Sequence, residues 1–156
     1  MTALETAIKK TKLLKRELEL IPSLLGQKKV QEKLIELNQF DQIFIKGQRA
    51  DGSTLPLYSL NTQILSFGER YTLNGVTKTK LQGEPFILLN SGRFFESFKI
   101  NYTNEYLTIQ ADDDKDGKKL TELYGKEILG LSEESKIKAK KFIEDIVFEN
   151  LKKKGF

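Results

Sequence analysis

The chain has 156 residues, which is the size of a single domain with one hydrophobic core. It contains no Cys and no His, so disulfides, thiolate nucleophiles, imidazole bases and ordinary zinc sites are excluded. Its net charge of +4 comes from 26 basic and 22 acidic residues spread along the chain, which by itself does not predict nucleic-acid binding.

Hydropathy bears on the cellular environment. Hydrophobic residues at 38% and charged residues at 31% lie in the range of globular proteins. No apolar run approaches the roughly twenty residues of a membrane span, and the first residues lack the apolar core of a signal peptide. We therefore expect a soluble protein without a membrane partner.

Residues 1–38 are predicted to form two N-terminal helices. Apolar side chains at steps of three and four predict the first helix over residues 3–20, and Pro22 is expected to stop it. Its predicted stripe consists of Leu4, Ala7, Ile8, Thr11, Leu14 and Leu18. The second helix is predicted over residues 27–37, with Val30, Leu34 and Leu37 on its apolar face. We expect both helices to pack on the core rather than to bind a partner.

Residues 40–111 are predicted to form loops and an antiparallel sheet. Residues 40–46 are rich in Ile and Phe, which favours a strand, with a last helical turn as the alternative. Residues 47–62 contain Asp51-Gly52 and no sustained period, so they are predicted to form a surface loop or a loose hairpin.

Three further local signals precede the central part of the chain. Asn61 or Thr62 is expected to cap a short helix, and Asn74-Gly75 is typical of a turn. Residues 86–88 are an apolar run that predicts a buried strand.

The stretch of residues 88–111 is the segment around which we expect the rest of the chain to fold. Its residues 90–92, Asn-Ser-Gly, can end a strand and cap a helical turn over residues 93–97, because a side-chain oxygen there accepts a free N–H group. Two half-buried strands follow, joined by a predicted hairpin loop at residues 103–105. Their alternating apolar residues are Phe98, Ile100, Tyr102, Leu107, Ile109 and Ala111.

Residues 118–154 are predicted to form a connector and a C-terminal helix. Residues 118–124 suit one to two helical turns, and the glycines at 125 and 130 bracket an apolar plug. Ser132 is expected to cap the last helix, and three lysines lie at its C-terminal end, where the helix dipole favours positive charge. The predicted apolar stripe consists of Ala139, Phe142, Ile143, Ile146, Val147 and Leu151.

The sequence Asp112-x-Asp114-x-Asp116-Gly117 copies the first half of an EF-hand loop. Its second half does not match, because position twelve of the loop is Leu123 instead of a bidentate Glu. We therefore predict an exposed acidic loop with no metal site.

Two other sets of residues could have a functional role instead of a purely structural one. The carboxylates Glu84, Glu96 and Glu105 lie near the central stretch and could form an acid–base pair, although such groups are usually solvated. The aromatic residues could stack nucleic-acid bases, although phenylalanines at strand spacing are more often core residues. This aromatic set consists of Phe86, Phe94, Phe95, Phe98, Tyr102 and Tyr106, with Arg93 and Lys99 nearby.

The order of several short motifs resembles the minor structural proteins of tailed bacteriophages. The resemblance covers residues 47–131 and leaves out the N-terminal helices. Its motifs are Gly47-x-x-x-Asp51-Gly52, Leu57-Tyr58-Ser59-x-x-Thr62, Gly83-x-Pro85, Leu89-Asn90-Ser91-Gly92-Arg93-Phe94-Phe95-x-Ser97-Phe98, Ala111-Asp112, Leu120, Leu123-Tyr124-Gly125 and Ile128-Leu129-Gly130-Leu131. Ser91 stands where Thr is usual in these proteins, which is a harmless change for a cap.

The resemblance is to the tail-completion and head–tail joining proteins of the phage neck. It implies an α+β fold and a non-enzymatic subunit that forms a homo-oligomeric ring near the portal in the virion, in contact with the portal and other neck or tail proteins. It implies no catalytic residue, no metal and no cofactor. The residues that carry its structural signature are Asn90, Ser91, Gly92, Phe95, Ser97, Phe98, Tyr124 and Gly125.

Assembly contacts are predicted in the loop of residues 47–62. A long loop that is poor in regular structure orders more readily against a neighbour than alone. The candidate contact residues are Arg49, Asp51, Leu55, Leu57 and Tyr58. A small phage nucleic-acid-binding protein and a hydrolase with paired carboxylates remain the alternatives, and any DNA contact of a neck subunit would be non-specific.

Overall fold

The computed structural model describes residues 1–103 and 106–156. It confirms the predicted α+β class, with helices at both ends of the chain and antiparallel strands between them. Within the described residues the strands form three separate two-stranded hairpins rather than one sheet. Asn104 and Glu105 of the predicted hairpin loop lie outside the described residues.

Helix α1 (Ala3–Glu19) begins with a capping box, in which the backbone N–H of Thr2 donates to Glu5 and that of Glu5 donates to Thr2. Pro22 lies in the first turn of α2 (Ile21–Leu24), where its missing N–H leaves no helical bond unmade. Pro22 therefore helps to start a second helix instead of only ending the first.

The predicted apolar stripe of α1 is partly wrong. Leu4, Ile8 and Leu18 are exposed, and the buried residue of this helix is Glu17. The carboxylate of Glu17 pairs with the ammonium group of Lys154, which compensates the cost of burying its charge.

Helix α3 (Lys28–Glu36) buries Val30 and Leu34 as predicted, and it continues without a break into a π-helix, Leu37–Lys46. The strand predicted over residues 40–46 is therefore wrong. Ile43 and Phe44 are completely buried, and a short apolar run of this kind does not reveal whether its period is helical or extended. The helix ends at Gly47, whose φ of 61° suits a left-handed C-cap.

The first hairpin joins β1 (Tyr71–Leu73) to β2 (Val76–Lys78) through the predicted turn at Asn74-Gly75. The second joins β3 (Lys99–Tyr102) to β4 (Leu107–Gln110), which confirms the central pair of strands. The third joins β5 (Asp114–Lys115) to β6 (Lys118–Lys119).

The strand predicted at residues 86–88 is wrong as regular structure. Ile87 is buried, but its N–H donates to the hydroxyl of Tyr58 at 3.1 Å instead of to a strand. Leu88 has a φ of 53°, which no extended strand residue adopts.

The first of two short helices starts earlier than predicted, and the second starts where it was predicted. Helix α4 (Leu60–Leu65) is capped by Ser59, whose Oγ accepts the N–H of Thr62 at 3.2 Å, and not by Asn61 or Thr62. Helix α5 (Arg93–Glu96) is preceded by Gly92 with a φ of 85°, and it confirms the predicted turn. Ser91 is a weak cap, since its Oγ lies 3.4 Å from the N–H group of the first helical residue.

The C-terminal region follows the prediction except at Lys118 and Lys119, which form β6 instead of helix. Helix α6 (Leu120–Tyr124) and a 3₁₀ turn (Lys126–Ile128) form the connector, and Ile128 is its completely buried plug. The Oγ of Ser132 accepts the N–H of Ser135 at 3.2 Å and so caps α7 (Glu133–Lys153). The buried members of its predicted stripe are Ala139, Ile146, Val147 and Leu151.

The buried side chains form two clusters. The first joins the π-helix to the central stretch and the connector, and it contains the aromatic triad of Phe94, Phe95 and Phe98. The second lies between α2, α3 and α7. Phe98 contacts Phe94 and Phe95 edge to face, with ring centroids 5.0 and 5.9 Å apart, so the central stretch is a packing centre as predicted.

Candidate assembly surface

The loop of residues 47–62 is ordered by its own chain. The Nε of Arg49 donates to the carbonyl of Tyr124 at 2.5 Å, and its Nη1 donates to the carbonyl of Thr54 at 2.7 Å. The carboxylate of Asp51 accepts the N–H and the hydroxyl of Ser53, and these bonds lower the pKa of Asp51. Arg49 and Asp51 thus stabilise the loop from within, so the loop does not need a neighbour to be ordered, in contrast to the expectation that it orders more readily against a neighbour than alone.

Two of the other candidate contact residues are in the core. Leu55 is 1% exposed and Tyr58 is 7% exposed, so neither can bind a partner on the folded chain. Burial also raises the pKa of the Tyr58 hydroxyl. Leu57 is 55% exposed and is the one member of the predicted set that offers a free apolar side chain.

Leu57 leads into helix α4, which buries none of its residues. Thr62 and Gln63 are half-buried, and the Oε1 of Gln63 accepts the backbone N–H of Gln82 at 2.7 Å, whereas Asn61 is exposed. The apolar residues face solvent, with Ile64 58% exposed and Leu65 71% exposed. A surface helix normally buries its apolar residues, and exposed apolar residues that lie together are typical of an interaction site.

Phe67, just after α4, is 90% exposed. Its φ is 50°, a conformation that costs energy for a bulky residue and that often occurs where function requires it. The backbone here presents an aromatic ring to solvent in a strained conformation. We define the apolar surface of α4 by its exposed residues, Leu57, Leu60, Ile64, Leu65 and Phe67.

The residues of the structural signature divide between the core and one cleft. Phe95 and Phe98 are buried in the first cluster. The Oγ of Ser97 accepts the N–H of Asp112 at 2.8 Å and so ties α5 to the end of β4. Gly125 has a φ of 94°, and its position lies close to Arg49.

The remaining signature residues, Asn90, Ser91, Gly92 and Tyr124, line an open cleft of about 360 Å³. Its walls also contain Tyr58 and Phe86, whose ring centroids are 4.6 Å apart. Thr62 of α4 reaches the rim, so the cleft borders the apolar surface of α4.

The acidic motif at residues 112–117 is a hairpin, with Asp116 and Gly117 as its left-handed turn at φ values of 52° and 79°. Asp113 accepts the N–H of Thr121 at 3.0 Å and also its hydroxyl. Burial tends to raise the pKa of Asp113, but these hydrogen bonds outweigh it and the pKa is lowered. Within residues 1–103 and 106–156 there is no group of three or more acidic side chains placed to hold a metal ion.

The structure gives little support to the predicted acid–base pair of carboxylates or to the predicted base-stacking set of aromatic residues. In the described part of the chain no hydrogen bond joins Glu84 to Glu96, and Glu105 lies outside that part. Three of the six aromatic residues proposed for base stacking, Phe94, Phe95 and Phe98, are buried in the core. They cannot stack on a nucleic acid without unfolding the chain.

Sequence reasoning missed the two buried amides of the π-helix. The Nδ2 of Asn38 donates to the carbonyl of Ile128 at 3.0 Å, and its Oδ1 accepts the N–H of Gly130 at 2.9 Å. One turn later, Gln42 bonds the carbonyl of Gly130 at 2.9 Å and the N–H of Ser132 at 2.8 Å. The available signal was the spacing of four residues between Asn38 and Gln42, which places both amides on one side of a helix.

Comparisons of the chain with models of known families, with curated proteins and with solved structures gave no match. Among the described residues, no helix has both the length and the apolar character needed to cross a membrane. The candidate surface therefore rests on the geometry of this chain.

Proposed function

We propose that the protein is a non-enzymatic structural subunit of a tailed-bacteriophage virion, which joins copies of itself into a ring at the neck as a head–tail connector or tail-completion protein. The observation that carries this proposal is the apolar surface of α4, whose residues lie in solvent while the helix buries none of its side chains. The resemblance of residues 47–131 to neck proteins supports the virion role, and the apolar surface supports self-association.

Energetics favour association through this surface. Burial of a Leu, Ile or Phe side chain contributes about 1.5–3 kcal/mol relative to its exposed state. Leu65 and Phe67 are 71% and 90% exposed, so a partner can remove most of their area from water. The other exposed apolar side chains of the surface add area around them, as expected of anchor residues in an interface.

The mass of the assembled protein tests this proposal. Native mass spectrometry of the purified chain is expected to show a closed oligomer. Leu65→Glu is expected to give a folded monomer, because a carboxylate would be desolvated in the contact. Ile137→Glu is the matched control, since Ile137 is 69% exposed in α7 but lies outside the apolar surface of α4.

A phage test addresses the virion role. In a phage that lacks its own copy of the gene, the wild-type chain and Ile137→Glu should restore finished particles, and Leu65→Glu should leave unjoined heads and tails. A monomeric wild-type chain that is retained on DNA, with retention that falls steeply with salt, would instead support the nucleic-acid-binding alternative.

A further inference from the structure

Helix α1 carries a cluster of cations that have no acidic partner. Five of the eight residues from position 9 to position 16 are Lys or Arg, none of the eight is acidic, and all five basic side chains are exposed. In the part of the chain that the structure describes, none of these five side chains forms an ion pair. We call Lys9, Lys10, Lys12, Lys15 and Arg16 the basic surface of α1.

Three of these cations lie in one row along the helix. Lys9, Lys12 and Arg16 are spaced at three and four residues, which places them on the same side, and all three line an open groove of about 400 Å³. Glu5 lies at one end of this groove, where its carboxylate accepts the N–H of Thr2 at 2.7 Å. The row therefore presents an excess of positive charge to solvent over about 10 Å of helix, at 1.5 Å per residue.

The fold adds a second basic segment from a distant part of the sequence. Lys154, just after α7, pairs with the buried Glu17 of α1, and the ammonium group of Lys10 lies 5.6 Å from the centroid of the Phe156 ring. These two contacts hold residues 152–156 alongside α1. The two lysines before Lys154 are exposed, so they extend the basic surface of α1.

The positive charge of the protein is concentrated in these two segments. Residues 9–19 and 152–156 together contain eight basic and two acidic residues, whereas the complete chain contains 26 basic and 22 acidic residues. The rest of the chain therefore has 18 basic and 20 acidic residues, which is a net charge of −2. The net charge of +4 is thus the sum of one strongly basic region and a slightly acidic remainder.

We propose that the basic surface of α1 binds the phosphate backbone of a nucleic acid. Exposed cations without acidic partners are the electrostatic footprint of such a contact, because each can neutralise a phosphate and release its counterion. Phosphate contacts carry no sequence information, so the binding is independent of base sequence. The inference goes beyond the proposed function and does not use the apolar surface of α4.

The packing of α1 favours a nucleic acid over an acidic protein or a membrane. The apolar side chains between Lys9 and Arg16 are Leu13 and Leu14, and both are half-buried against the second cluster. A protein interface usually has an apolar centre, and an interfacial helix inserts its apolar side into the membrane. A nucleic-acid interface is polar and strongly positive, so the exposed cations of the basic surface suffice for it.

The salt dependence of binding tests this proposal. Fluorescence anisotropy of a labelled DNA duplex of about 20 base pairs is to be measured with the purified chain between about 50 and 200 mM salt. If each of the five cations neutralises one phosphate, the logarithm of the binding constant should fall with the logarithm of salt with a slope of about −4.5. That slope corresponds to a loss of about 500-fold in affinity over this range.

A triple variant removes the row of cations. Lys9→Gln, Lys12→Gln and Arg16→Gln together should reduce the slope to about −2 and weaken binding by at least about tenfold at 50 mM salt. The circular dichroism should be unchanged, because Gln is a good helix former at exposed positions. The exchange of Lys9→Arg, Lys12→Arg and Arg16→Lys, which keeps the charges, should retain the slope of the wild-type chain.

The matched control removes the same charge elsewhere. Lys115→Gln, Lys118→Gln and Lys126→Gln change three exposed lysines in the third hairpin and the connector. This control should keep the wild-type slope and change the affinity by less than about twofold, because these lysines lie outside the basic surface of α1.

A second arm of the experiment uses a membrane surface. Leu4 and Ile8 are 70% and 46% exposed just before the basic surface, so vesicles of phosphatidylcholine and phosphatidylserine are to be compared with the duplex at equal salt. Tighter binding to the vesicles than to the duplex would show that the inference names the wrong partner.

Two other results overturn the inference. Absence of duplex binding at 50 mM salt is one, and equal weakening by the two Gln triples is the other, because it would assign the binding to net charge alone. The mass of the wild-type chain keeps the two proposals apart. A monomer that binds the duplex through the basic surface disproves the proposed ring subunit and supports this inference, whereas an oligomer without duplex binding does the reverse.

Discussion

Replacement of Asn38 by Leu should be among the most damaging single changes in this chain. Asn38 is completely buried, and its amide satisfies the carbonyl of Ile128 and the N–H of Gly130. Leucine has the same number and branching of side-chain heavy atoms, so no cavity opens and the loss comes mainly from two unsatisfied backbone groups. At about 1–3 kcal/mol each, the expected loss is about 2–6 kcal/mol.

The assay is urea unfolding monitored by circular dichroism at neutral pH. Gln31→Leu is the control, because Gln31 is half-buried and its Nε2 donates to the carbonyl of Leu25 at 3.1 Å, a bond that water can replace. We expect this control to cost about 0.5–1.5 kcal/mol. Equal losses in the two variants would refute the reasoning, because they would mean that water or backbone movement satisfies the connector without Asn38.

Asn38→Asp adds a test of the same bonds through pH. A protonated carboxyl can donate to Ile128 and accept from Gly130, whereas a buried carboxylate cannot donate. Burial should raise the folded-state pKa of this aspartate above its unfolded value of about 3.9. The variant should therefore be most stable below that unfolded pKa and lose stability as the pH rises through the folded pKa. A loss that is constant with pH would contradict this account.

Three further predictions concern residues singled out in the sequence. Phe98→Ala should lower the free energy of unfolding by about 3–5 kcal/mol, because it leaves a cavity in the core. Ser91→Ala should lower it by under about 0.5 kcal/mol, because the cap bond of Ser91 is long. Similar losses for the two variants in a urea titration would contradict this prediction. Asp113→Asn should destabilise the chain at pH 7 by on the order of 1 kcal/mol after allowance for solvent screening. The difference in stability between wild type and Asp113→Asn should disappear as the pH falls below 3.8, because a carboxyl with a lowered folded-state pKa stabilises the fold only while it is ionised. A loss of stability that persists at pH 2 would refute the role of the bonds between Asp113 and Thr121. Calcium at micromolar levels should leave the melting temperature unchanged, because residues 112–117 form a hairpin; a shift of several degrees would reveal a cation site.

The sequence determined the elements whose signals are local. Helix α7 combines an apolar period, the Ser132 cap and terminal charges of the right sign, and each of these acts within one or two turns. The turn at Asn74-Gly75 and the strands β3 and β4 were predictable for the same reason, since alternation and turn chemistry act over a few residues.

Only the tertiary structure decided the conformation of residues 40–46 and which residues of α1 and α4 are buried. Residues 40–46 form a buried π-helix, and their apolar composition fits a helix or a strand equally well until the partners of Asn38 and Gln42 are known. Helix α4 is the clearest case, because its apolar residues remain in solvent while Gln63 is held against Gln82. Periodicity shows that a helix has an apolar side, but the contacts with the rest of the chain decide whether that side faces the core or a partner.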